Sequence, residues 1–265
     1  QTPFSVLYSM HLSSKRGNGF MAMRQTLSIW RLFLLLGGIG FLLRALQLQF
    51  GFESTTGLAK PHCLPAIGLL FLSLIGILFA ILFSQRLPAV LRSTPFSRFY
   101  GTPNRLVHRL CAALEAAMGI TLLPLGLDGS WPCFILALFS LLTALCTLAL
   151  PRTAGHFCWM EHTCFAVACL VLLFTRHASD PNWMGFWPFL AALCCTSFSC
   201  CTLFGASCNV PKPRSSACSM LCGSMFCLIA LPDCCTPERF PYIFGILAAA
   251  LLQGFYSRQL FCTGK

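Results

Sequence analysis

Acidic residues are scarce in this sequence: 7 Asp and Glu stand against 18 Lys and Arg in 265 residues, and charged residues make up 9% of the chain. A soluble globular protein carries about a quarter charged residues, so these few cannot cover a water-facing surface. With 57% hydrophobic residues, the composition excludes a disordered chain as well. The usual motifs of catalysis and nucleotide binding are also missing. No H-E-x-x-H, G-x-S-x-G, P-loop or G-x-G-x-x-G occurs. Among 18 cysteines there is no C-x-x-C and no Cys/His spacing of a zinc site, so no metal is expected. No Gly/Ser linker or convincing internal repeat divides the chain, and no segment is long enough to fold as a separate soluble domain.

What the sequence does have is long apolar runs. Eight can be marked: Ser28–Gln47, Leu64–Ser84, Leu106–Leu125, Pro132–Leu150, Phe157–Thr175, Trp183–Phe204, Ser216–Leu231 and Pro241–Ser257. At 1.5 Å rise per residue, each crosses most or all of a hydrocarbon core about 30 Å thick. They do not alternate polar with apolar residues, so a β-barrel is excluded. A lone segment in lipid must satisfy its own backbone hydrogen bonds, so these are helices. The expected fold is all-α, an integral membrane bundle of about eight transmembrane helices. The seventh run, shortest and richest in Ser and Cys, has the weakest signature.

Residues 1–22 are read as a leader outside the fold, because Met21 or Met23 would each make a natural beginning ahead of Arg24. Residues 23–265 are then a single eight-helix domain. The first span is read as uncleaved, since Arg44 follows a long apolar stretch and no A-x-A site ends it. With the amino end inside and eight crossings, all of the 18 basic residues except Arg44, Lys60, Arg176 and Arg239 fall on the cytoplasmic side. This is the inside-positive pattern, and it places both termini in the cytoplasm of a cell-membrane protein. Trp30, Trp159, Trp131, Trp183 and Trp187 fall at predicted span ends, and Tyr242 and Tyr256 bracket the last span. Their rings suit the interface.

The formal charge of +11 follows from that bias and does not indicate nucleic-acid binding. Its densest part is the Gln85–Arg109 stretch, where Arg86, Arg92, Arg98 and Arg105 are placed to lie against anionic headgroups. Docking of a cytoplasmic partner is the alternative for this patch. Most cysteines sit within apolar runs as small hydrophobes. Cys63, Cys234 and Cys235 lie on the predicted outer side, where Cys63 with Cys234 or Cys235 is the disulfide to test.

Ionisable residues deep in lipid cost several kcal/mol unless paired or hydrated, so each is a candidate for function. Glu115 stands near the middle of the third span, on a face of small residues with Cys111, Ala112 and Gly119. Buried there, it either holds its proton or pairs with a base, and Arg31 and Arg44 of the first span are the candidate bases. Glu161 and His162 in the fifth span, with His108 and Arg109 in the third, form a second group near the cytoplasmic face. Interfacial anchoring and one gathered site are the two readings of that group. His108 with His162 would be the haem pair, but paired axial ligands at one depth are not evident, and no cofactor is expected. Outside, Arg176, His177 and Asp180 sit in the turn after the fifth span.

The run from Met23 through the first span to the Gly51–Leu58 loop, together with the Arg176–Pro181 turn, resembles uncharacterised bacterial polytopic membrane proteins. That resemblance implies membrane localisation and no particular activity. Three functions remain in order: a transporter-like or accessory permease component with Glu115 on a polar path; a structural subunit of a membrane complex with a membrane-protein partner; and an intramembrane enzyme. The last has no motif behind it. A transporter would show a water-accessible cavity reaching Glu115. An enzyme would show Glu161, His162 and His108 converging on one pocket.

Overall fold

The structure is a computed structural model that describes residues 29–53, 58–60, 63–87, 96, 100, 104–150, 155–177, 185–236 and 239–263. The leader, Arg92, Arg98, Asp180, Trp183 and the Thr56-Gly57 pair lie outside the described residues. The described chain is all-helical: α1 (Ile29–Phe50), α2 (Leu64–Ser84), α3 (Arg105–Leu127), α4 (Trp131–Ala149), α5 (His156–His177), α6 (Trp187–Ser207), α7 (Pro213–Ala230) and α8 (Tyr242–Thr263). A 3-10 turn, Leu231–Cys234, extends α7. The first seven are long and apolar enough to cross a membrane, which makes this a multi-pass membrane protein. The eighth has spanning length, but Gln253, Arg258 and Gln259 dilute its apolar character.

Local chemistry sets the helix ends. Proline occupies the first turn of α2, α4, α6 and α7, where its missing N–H has no helical partner to lose. The Asn104 side chain caps α3 by accepting from Leu106 N at 2.9 Å. Between α3 and α4 the chain reverses through Gly129, whose φ of +106° disfavours any residue with a Cβ.

Apolar and polar residues are distributed as lipid requires. The α1 and α2 surfaces expose Leu35, Leu42, Phe71, Leu74 and Leu78, while Arg44, His108, Glu115, Glu161, His162 and Asp233 are buried. Lipid offers no hydrophobic drive between helices, so close packing of small residues takes that role. Gly37 and Gly40 of α1 receive Leu228 and Ile229 of α7; Gly76 of α2 receives Met225; Gly223 of α7 faces Gln253 of α8. The weakly marked seventh run is therefore the central helix, with 83% of its spanning window buried. Its Ser, Cys and Gly content reflects contact with helices rather than with lipid.

Three expectations are corrected at this level. Trp159 and Tyr256 are 2% and 1% exposed, so neither is an interfacial anchor; their rings meet inside the bundle at 5.3 Å. None of the 18 cysteines forms a disulfide; Cys63 lies against Gly51 and Cys234 donates to Ala230 O. The proposed Cys63 disulfide is thus not formed.

Tyr100, from the connection between α2 and α3, is buried and donates to Ser216 Oγ of α7 at 2.9 Å. Burial pushes its hydroxyl up from 10.0 to about 12. Stability linked to this group is complete below pH 10 and is lost as pH rises toward 12. Tyr100→Phe should cost about 1 kcal/mol at neutral pH through the lost hydrogen bond. It should also remove on the order of 2–3 kcal/mol of the alkaline loss. Thermal unfolding of both forms in detergent between pH 7 and pH 12 checks this, and parallel curves would refute it.

Candidate functional site

The fourth span supplies a feature the sequence reading passed over. Ser140, Thr143 and Thr147 recur at helical spacing on one buried face of α4. That face meets α3 on one side and α5 on the other. Ser140 Oγ donates to the Glu115 backbone oxygen at 2.6 Å, which holds α3 and α4 close where Gly119 faces Ala137 O and Leu141. Thr147 Oγ1 lies 2.5 Å from Glu115 Oε2 and 2.8 Å from His162 Nε2. Thr143 Oγ1 lies 2.7 Å from Glu161 Oε1 and 2.8 Å from Phe139 O.

The helix backbone orients the imidazole. His162 Nδ1 is 2.7 Å from Cys158 O, and a carbonyl only accepts, so Nδ1 carries a proton. Glu161 Oε2 is 3.5 Å from the same nitrogen and is buried without a hydrogen-bond partner. Glu115 Oε1 is 3.8 Å from Nε2. Two carboxyl groups therefore flank one imidazole, and all three residues are only 4% exposed.

The site residues regroup relative to expectation. Glu115 joins Glu161 and His162, and its expected bases are elsewhere. Arg44, 0% exposed, donates through Nε to Asp233 Oδ1 at 2.9 Å and through Nη2 to the same oxygen at 2.6 Å. It also bonds Gln47 Oε1 at 2.8 Å and Gly185 O. Arg31 is exposed in the first turn of α1. His108 turns away from His162: its Nδ1–H donates to Asn104 O, and its Nε2 accepts from the Tyr256 hydroxyl, each at 2.9 Å. That removes the gathered His108–Glu161–His162 site and the haem pair. Interfacial anchoring fails too, because all three are buried. Arg109 is exposed beside Ala112, Ala113 and Ala116. Arg105 and Arg86 are exposed at helix ends, with Arg86 5.0 Å above the Phe83 ring. Arg176 and His177 fall in the last turn of α5.

Beside the carboxyl–imidazole cluster lies a cavity of about 80 Å³ lined by residues of α3 to α8. Glu115, Thr143 and His162 lie on one wall, and Thr196, Ser199 and Gln253 on another. Along α8 the lining runs from Tyr242 to Gln253, a rise of about 16 Å. The other walls are apolar, with Phe165, Phe189, Leu193 and Ile246. Gln253 Nε2 donates to Thr196 Oγ1 at 2.7 Å, while its Oε1 is buried without a hydrogen-bond partner. Among the described residues no group of three or more His, Cys, Asp or Glu is placed to hold a metal ion.

Comparison with protein-family models, with curated proteins and with solved structures finds no match to this chain. Its class rests on the helices themselves: a multi-pass helical membrane protein, with a largely apolar cavity that a few polar side chains border.

Proposed function

We propose that residues 23–265 are one eight-helix transmembrane domain and that the protein is a transporter-like carrier or permease component of the cell membrane. The observation that carries this reading is the cavity between α3 and α8 with Glu115 and His162 on its wall. Ionisable groups are costly at this depth and mark substrate or ion pathways when they meet a cavity. The apolar walls fit a small molecule with an apolar body and one hydrogen-bonding or cationic head, the head directed at Glu115. Exposed Arg86 and Arg105, with Arg92 and Arg98 nearby in sequence, serve as the contact with anionic lipid.

A thermal-shift screen of the detergent-purified protein tests the reading against amines, amino acids, sugars, nucleotides, metals, haem and lipids. A ligand at about 100 times its Kd adds roughly 2.7 kcal/mol to the folded state. Glu115→Gln should lower the affinity of a soluble hit at least about tenfold, the value of a single charge-assisted hydrogen bond. A well-folded protein silent across the panel would transfer the reading to a structural subunit whose ligand is another membrane protein.

A further inference from the structure

We infer that Glu115, Thr147 and His162 form one proton-transfer unit, in which a single dissociable proton is shared between the carboxyl and the imidazole through the threonine hydroxyl and is exchanged with the cavity. This deepens the carrier reading by assigning the proton as a coupling ion. It rests on that reading for what the proton drives.

Proton bookkeeping carries the inference. Thr147 has one hydroxyl proton and two partners within hydrogen-bond distance, Glu115 Oε2 and His162 Nε2. The Nδ1 proton is already engaged by Cys158 O. In one arrangement Glu115 carries a proton on Oε2 and donates it to Thr147 Oγ1, and Thr147 donates to a neutral Nε2. In the other, Thr147 donates to a Glu115 carboxylate, and an imidazolium Nε2–H donates to Oγ1. Both use the same two heavy-atom contacts. Passage between them breaks two O–H bonds and forms one O–H and one N–H, as the hydroxyl takes one proton and gives up its own. No atom need move beyond hydrogen-bond distance.

The surroundings serve both forms. The unpartnered Glu161 Oε2, 3.5 Å from Nδ1, stands where a counter-charge to imidazolium is needed. Glu115 and His162 both border the cavity, so the cavity side is where the proton leaves or enters. Other titratable groups within electrostatic reach of the trio are Glu161 and Cys158 of α5, Cys111 of α3, Cys146 of α4 and Cys200 of α6, and His108 of α3, whose ring nitrogens are engaged by Asn104 and Tyr256.

Full-length protein in phosphatidylcholine vesicles, labelled with ¹⁵N-histidine, provides the test. Infrared spectra follow the protonated carboxyl band assigned by Glu115→Gln, and nitrogen NMR follows His162 over the same pH range. A shared proton gives both probes one macroscopic midpoint. Thr147→Val should split the midpoints by at least about one pH unit, and Thr147→Ser should keep them joined. Separate midpoints in the wild type, or a Thr147→Val protein that titrates like the wild type, would overturn the inference. Should Thr147→Val not fold, Thr147→Ser and the wild-type midpoints still decide. No transported substrate is needed, so a silent ligand screen and a failed relay are distinct results.

Discussion

Asp233→Ala is expected to destabilise the protein by about 3–5 kcal/mol, as removal of one partner from a buried ion pair does. Arg44 has no contact with solvent, and its guanidinium joins three elements: Gln47 in its own helix, Gly185 ahead of α6, and Asp233 in the turn that extends α7. Without Asp233 the buried guanidinium loses the carboxylate that accepts from both Nε and Nη2. Arg44→Met combined with Asp233→Leu removes both charges and fills similar volume. That double variant should recover most of the loss, because a buried pair contributes little beyond its own desolvation. Unfolding in detergent measures all three proteins, and a single-variant cost below about 1 kcal/mol would sink this account.

The same pair shows where sequence reading stops. Composition and run length suffice for a membrane bundle, since lipid exposure demands uninterrupted apolar helices and all eight runs became helices. The basic residues say which segments leave the membrane, but nothing linear says which polar residues meet inside. Arg44 and Asp233 are 189 positions apart. Their pairing follows from α1 lying on α7, which is set by Gly37 and Gly40 against Leu228 and Ile229. Glu115, Glu161 and His162 were each recognisable as costly in lipid, but their association runs through a helix that carries no charge within its span. Ser140, Thr143 and Thr147 did give a signal, an i, i+3, i+7 polar stripe in an apolar run. Hydroxyls that bond their own helix at i−4 make such a stripe ordinary, and only its neighbours reveal it as the bridge.

Gly223→Ala joins the core packing to the cavity, and its expected cost is about 3 kcal/mol. A Cβ at this position would stand 1.9 Å from Gln253 Oε1 and 2.8 Å from its Cδ. The amide has to leave, and its hydrogen bond to Thr196 at 2.7 Å goes with it. Overpacking costs about 1–3 kcal/mol, and stranding a buried amide costs a similar amount. The better helix propensity of alanine offsets about 1 kcal/mol. If this is the physical cause, the cost belongs to the pair and not to the glycine. In a Gln253→Ala background the same substitution should then be neutral or slightly stabilising, a coupling of about 3–4 kcal/mol in the double-mutant cycle. Additive costs would mean that α7 and α8 themselves cannot adjust to a methyl group. Coupling would instead identify the Gln253 amide, on the cavity wall opposite Glu115, as the group displaced, so any ligand found in the screen should lose affinity in Gly223→Ala while Glu115 stays intact.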